Sequence, residues 1–141
     1  MGSRSLTLLL DTHILIWFAE GSSELSEPTV GRLETAARKA GLAVSVISFW
    51  EVAMLHHRQR ISLSLPLVSW RDIVLETPGF IEAPLAGDIA IESVNLPGEL
   101  HGDPADRILI ATARLNGWTL VTRDDRVLDY GRAGNVDVLE L

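Results

Sequence analysis

Leu6-Thr7-Leu8-Leu9-Leu10-Asp11-Thr12-His13-Ile14-Leu15-Ile16-Trp17 opens the folded part of this chain. A strand with one wet face alternates apolar and polar residues. The run at 6–10 is almost continuously apolar, as a strand covered on both faces is, and it stops on an acid. A helical pattern follows at 13–19. Outward from this unit the same succession recurs. Residues 42–46 read as a strand and 48–58 as a helix. A short strand lies within 80–85, with a helix at 87–95. Residues 118–121 form another strand, 124–130 a helical turn or two, and 136–139 a last strand. Three more helices lie between. The first spans 26–40, with Ser26 as cap, Pro28 in its first turn and Gly41 as stop. The others span 66–76 and 104–116, the latter ended by Gly117.

Strands alternating with helices predict an α/β fold. The expected form is a three-layer α/β/α sandwich around a mainly parallel central sheet of about five strands. One domain over 1–141 is expected, with residues 1–5 either disordered or extraneous. Right-handed crossovers place every strand's carboxyl end at one rim, where such folds bind ligands.

Composition narrows the function. The chain has 141 residues, 47% hydrophobic and 22% charged, which suits a folded globular protein. It has no cysteine, so disulfides, Cys-ligated zinc and thiol nucleophiles are excluded. No run reaches the roughly 18 apolar residues of a membrane span, and the start lacks a secretory signal pattern. A cytoplasmic protein without membrane association is expected. Twelve basic against 19 acidic residues leave −7, which at face value argues against a nucleic-acid partner.

Where the acids fall changes that argument. Asp11 ends the first strand. Glu51 lies in the helix after the second. Asp106 sits in the first turn of the helix at 104–116, and Asp124 follows the strand at 118–121. Each has an ordinary structural reading. Ser48-Phe49-Trp50-Glu51 has the form of a capping box, and Asp103-Pro104-Ala105-Asp106 that of a capped helix start with Pro at N1. Asp11 and Asp124 can each begin a helix. Together they gather at one sheet edge, where two carboxylates about 4 Å apart repel by roughly 4 kcal/mol at an effective dielectric of 20. A bound cation relieves that repulsion. Oxygen donors without cysteine or a histidine pair suit Mg²⁺ or Mn²⁺ over zinc. Helix N-termini at the same rim suit a phosphate. Carboxylate-held metal beside a phosphate site is the apparatus of phosphodiester hydrolysis.

The residues 8–17 closely resemble the start of PIN-domain proteins, particularly the VapC-like toxins of type II toxin–antitoxin systems. The segment 48–51 resembles the family's second acidic element. His101-Gly102-Asp103-Pro104-Ala105-Asp106-Arg107-Ile108-Leu109-Ile110-Ala111-Thr112-Ala113 is the most specific match, and Leu120-Val121-Thr122-Arg123-Asp124 resembles the fourth. The resemblance covers the chain after residue 5. It implies a Mg²⁺- or Mn²⁺-dependent endoribonuclease that leaves 5′-phosphate and 3′-hydroxyl ends. It also implies a homodimer, joined into a heterotetramer or larger assembly by a VapB-like antitoxin that blocks the site. Carried over by position, Asp11, Glu51, Asp106 and Asp124 are the acidic quartet. Asp11, Asp106 and Asp124 would hold the metal, while Glu51 would orient the attacking water or hold a second ion. Thr12 and Thr122 would hold acids or a water by hydrogen bonds. Asp103 has two readings, a helix cap and a further acid, with the cap preferred. Asp124 is preferred over Asp125 because it keeps the Thr-x-Asp spacing. Arg107 would pair with a neighbouring acid or touch RNA, and Arg123 and Arg126 would supply phosphate contacts.

Other features carry less. His56 and His57 are adjacent, so a helix points them apart, and they read as surface or interface residues. His13 reads as a packing or hydrogen-bonding residue and His101 as a polar loop residue. Among Trp17, Phe18, Trp50, Met54 and Leu55, some are expected in the core and the rest in an exposed antitoxin groove. A haloacid-dehalogenase-like phosphatase needs an acid where His13 stands, and both it and a receiver domain need a late lysine. The single lysine, Lys39, is misplaced for either. No P-loop motif occurs. The remaining alternative is a PIN-like domain kept as a catalytically weak or inactive binding scaffold.

Overall fold

The structure is a computed structural model and describes residues 7–141. The expectation for residues 1–5, and Leu6 of the first strand, lie outside that range. In chain order the elements are β1 (Leu8–Leu10), α1 (Thr12–Ala19), α2 (Glu27–Lys39), β2 (Leu42–Ser45), α3 (Val46–His57) and α4 (Leu67–Glu76). They continue with β3 (Phe80–Ala83), α5 (Gly87–Val94), α6 (Pro104–Asn116), β4 (Thr119–Thr122), α7 (Asp125–Arg132) and β5 (Val138–Glu140). Among the described residues no helix is long and apolar enough to cross a membrane.

The five strands form one sheet in the order β3-β2-β1-β4-β5. The sequence led to a mainly parallel sheet, and all four strand pairings are parallel. The chain steps outward from β1 to β3, then returns to lay β4 on the other side of β1. Successive crossovers thus diverge between β1 and β4, opening a crevice at their carboxyl ends. The Asp11 amide extends that pairing by donating to the Val121 carbonyl at 2.9 Å.

Side chains alternate across the sheet, and each face has its own core. Leu9, Ala43 and Leu120 point to one face, where they pack with Ile89 of α5, Leu109 and Ile110 of α6, and Val127 and Tyr130 of α7. Leu10, Val44 and Val121 point to the other, against Ile14 and Leu15 of α1, Leu33 of α2, Val52 of α3 and Trp70 of α4. Both faces being dry explains why these strands read as unbroken apolar runs.

Several boundaries shift by one or two residues from the sequence reading, β5 among them, which runs over Val138–Glu140 where 136–139 was expected. α3 begins at Val46, with the Ser45 hydroxyl accepting from the Ile47 amide at 3.1 Å. The capping box at 48–51 is therefore not formed, because Ser48 lies fully buried inside the helix. α7 runs one residue pair beyond the expected end, to Arg132. The turn before β3 depends on Gly79. Its φ is +89°, and a Cβ there would lie 2.2 Å from the Ala37 carbonyl oxygen. Backbone cannot yield as a flexible side chain does. Gly79→Ala is expected to destabilise the fold by about 2 kcal/mol or more, read as a lower urea midpoint at unchanged m-value.

Candidate metal centre

The acids expected at the rim meet there. Asp11, Glu51, Asp103, Asp106 and Asp124 all line one cleft of about 400 Å³, together with Trp17, Arg123 and Arg126. A larger and mostly apolar concavity of about 740 Å³ lies between α2 and β5, lined by Leu33, Ala36, Val138 and Leu139. It gathers no acids, so the chemistry belongs to the smaller cleft.

Each acid is held by local structure. Asp11 caps α1, its Oδ1 accepting from the Thr12 amide at 2.7 Å. Its Oδ2 accepts from the Thr122 hydroxyl at 2.7 Å. The Thr122 oxygen in turn accepts from the Asp124 amide at 3.0 Å, so one threonine ties the ends of β1 and β4 together. Asp124 caps α7 through the Arg126 and Val127 amides. The Thr12 hydroxyl donates to Glu51 Oε1 and lies 3.0 Å from the buried Ser48 hydroxyl. With a single proton, Thr12 gives it to the carboxylate and accepts from Ser48. Thr12 and Thr122 therefore both hold acids by hydrogen bonds. Asp103 is the helix cap preferred for it. It caps α6 by accepting from the Asp106 amide at 3.0 Å, and it lines the cleft. Asp125 is exposed in the first turn of α7, outside the cleft lining.

His101 is the residue that sequence reasoning undervalued. Its Nε2 lies 2.7 Å from Asp106 Oδ2, and both side chains are mostly buried. Its position just ahead of the α6 cap, in a loop returning to the rim, was the available signal. Arg107 forms no ion pair with an acid among the described residues. Its guanidinium donates to the carbonyls of Ser93, Val94, Leu100 and His101, clamping the loop between α5 and α6. Arg123 lines the cleft, but its donors engage the Glu24 and Leu141 carbonyls and the Glu24 carboxylate. Its guanidinium also lies over the Trp17 ring. Arg126 reaches Asp124 at 3.4 Å and is otherwise open to solvent. His13 is exposed beside Trp17, and His56 and His57 are exposed at the end of α3.

The electrostatics follow from crowding. Burial raises the pKa of Asp11, against the hydrogen bond from Thr122. Burial raises Asp106 as well, opposed by His101 and reinforced by the charges of Asp11, Asp103 and Asp124. Glu51 is pushed up to about 7 by burial, with Asp11, Asp106 and Asp103 adding to it. At Asp124 burial also acts upward, but the hydrogen bonds from the Arg126 side chain and the Arg126 and Val127 amides win, and the pKa is lowered.

This donor set fits a hard divalent cation. Its acidic side chains offer only carboxylate oxygens, the donors a hard divalent cation takes, and those of Asp11, Asp106 and Asp103 add like charge around Glu51. Among the described residues no three acidic or histidine side chains close into a ready-made cage.

The PIN domain profile matches residues 8–133, so the chain belongs to the PIN-domain family. Within it, the chain is 37% identical over 124 residues to Ribonuclease VapC22 of Mycobacterium tuberculosis (strain ATCC 25618 / H37Rv), covering 88% of this chain and 92% of that protein. Solved structures agree on the fold. VapBC2 from Rickettsia felis, bound to a DNA fragment from its promoter, superposes with a TM-score of 0.69 at 18% identity, covering 96% of this chain and 98% of that one. A toxin–antitoxin complex from Klebsiella pneumoniae gives 0.62 at 25% identity, covering 94% and 96%.

Two outcomes follow from this geometry. Unfolded Glu51 releases its proton near 4.5 and folded Glu51 near 7. Protonation therefore stabilises the fold fully below 4.5, and that contribution is lost as pH rises to 7. The melting temperature of metal-free protein should fall across this window, and Glu51→Gln should flatten the fall and melt higher than the parent at about pH 8. Arg107→Ala leaves four carbonyls without their donor and should cost about 2 kcal/mol or more in urea unfolding.

Proposed function

We propose that this protein is a metal-dependent endoribonuclease, the toxin of a toxin–antitoxin pair, and that Mg²⁺ or Mn²⁺ is its cofactor. The observation that carries the reading is the meeting of Asp11, Glu51, Asp106 and Asp124, from four separate segments, in the crevice between β1 and β4. The relationship to a ribonuclease at 37% identity supports RNA as the substrate.

Asp11, Asp106 and Asp124 would hold the metal, directly or through bound water. A bound Mg²⁺ or Mn²⁺ supplies an acidified water and neutralises charge that develops on the phosphate. Glu51 has one carboxylate oxygen engaged by Thr12 and the other free, and a pKa of about 7. With its second oxygen it is suited to orient the attacking water or to hold a second ion. Water rather than a ribose hydroxyl is the nucleophile, so the products carry 5′-phosphate and 3′-hydroxyl ends. Thr12 and Thr122 keep the acids in place, and Asp103 adds negative charge at the mouth. Arg126, exposed and paired with Asp124, is placed to meet a substrate phosphate, with Arg123 behind it.

The acidic cleft suits a basic or apolar tail from an antitoxin partner, and the protein is proposed to act as a homodimer that such a partner silences in a heterotetramer or larger assembly. Purified protein freed of partner should cleave RNA with Mg²⁺ or Mn²⁺ and not with EDTA. Asp106→Asn should lose at least about a hundredfold in rate. Mn²⁺ should raise the melting temperature of the parent, and Asp11→Asn and Asp106→Asn should abolish that rise. Neither cleavage over a broad RNA panel nor a metal-induced shift would leave only the scaffold reading.

A further inference from the structure

Three of the four tryptophans have a partner. Trp70 is buried with Phe49 edge-on at 6.2 Å, Trp17 lies under the Arg123 guanidinium, and Trp118 packs on the core. Trp50 is 57% exposed and, among the described residues, makes no hydrogen bond or ring contact. It stands on α3 one residue before Glu51. With Ile47, Met54 and Pro104 it lines an apolar shelf of about 400 Å³ whose other walls include Glu51 and Asp103. The same two acids line the metal cleft, so the two concavities share a wall.

We propose that this shelf is a base-stacking subsite, where an unpaired nucleobase of the RNA lies on the Trp50 indole while the neighbouring phosphate occupies the acid cleft. The proposal rests on the nuclease reading and adds to it the surface that holds a base next to the cut. The shelf's acid walls repel a phosphate but not a neutral, planar base. An exposed indole offers a base the π-face on which single strands are commonly held. Paired RNA hides its base faces, whereas loops and ends splay them out. Stacking strength sets the preference at such a site, so the larger purine faces are favoured on the indole.

The test uses the full chain and mixed-sequence single-stranded RNA. Trp50→Ala should raise KM about tenfold, the scale of one lost stack, with kcat within about twofold. Trp50→Phe should restore most of the loss. Sequenced cleavage ends should show a purine preference beside the cut that Trp50→Ala erases. In an Asp106→Asn background, which holds RNA uncut, adding the same RNA should quench tryptophan fluorescence, and Trp50→Phe should remove that quench. If the parent protein cleaves RNA but Trp50→Ala changes neither KM nor the cut-site pattern, the shelf proposal is overturned while the nuclease reading stands. The shelf proposal also fails if Trp50→Ala weakens only capture of an antitoxin tail, because the shelf is then a protein contact. A Trp50-dependent quench with no cleavage by the parent would support the shelf and sink the nuclease.

Discussion

Carboxylates lose their water when they are buried, and that penalty, to which their mutual repulsion adds, organises the functional end of the molecule. Asp11 and Asp106 hold their protons more tightly than usual, and Glu51 titrates near 7. A fold tolerates such a cluster when rigid neighbours hold it apart and something positive is available to it. Here the neighbours are two threonines, a histidine and three helix starts. Helix N-termini supply part of the positive potential. The rest is the role proposed for a divalent cation.

The scaffold makes this arrangement possible because a wholly parallel sheet sends every strand's carboxyl end to one rim. With the order β3-β2-β1-β4-β5, the first and fourth strands become neighbours although more than a hundred residues separate them. Thr122 converts that adjacency into a specific contact, bonding Asp11 and the Asp124 amide at once. The loop before α6 is held from beneath by Arg107, which leaves His101 facing Asp106. Stability and function are thus coupled through carbonyls and hydroxyls far from any substrate. The overall acidity takes on a different meaning as well. Part of the −7 charge is the site itself, and the cations near it are few, with Arg123 already engaged.

Most of the architecture was legible because its signals are local. Apolar runs, Ser26 and Asp103 caps, and the Gly41 and Gly117 stops all act within a few residues. They placed every strand and helix to within a few residues at either end. The acidic quartet was legible because each acid sits at a strand end or a helix start, and the topology of an α/β sheet carries such positions to one rim.

Long-range partnership was not legible. Ser48-Phe49-Trp50-Glu51 has the form of a capping box, yet Ser45 caps α3 instead, and Glu51 receives its bond from Thr12, 39 residues earlier. Arg107 sits beside an acid in sequence but points along its helix to the carbonyls of the preceding loop. Trp50 and Trp70 are alike as letters, and only packing buries one and leaves the other beside the cleft. Local chemistry therefore specified the elements and the kinds of group at the rim. Which of those groups touch, which are spent on holding the chain, and how tightly each holds its proton depend on through-space neighbours that a linear order does not contain.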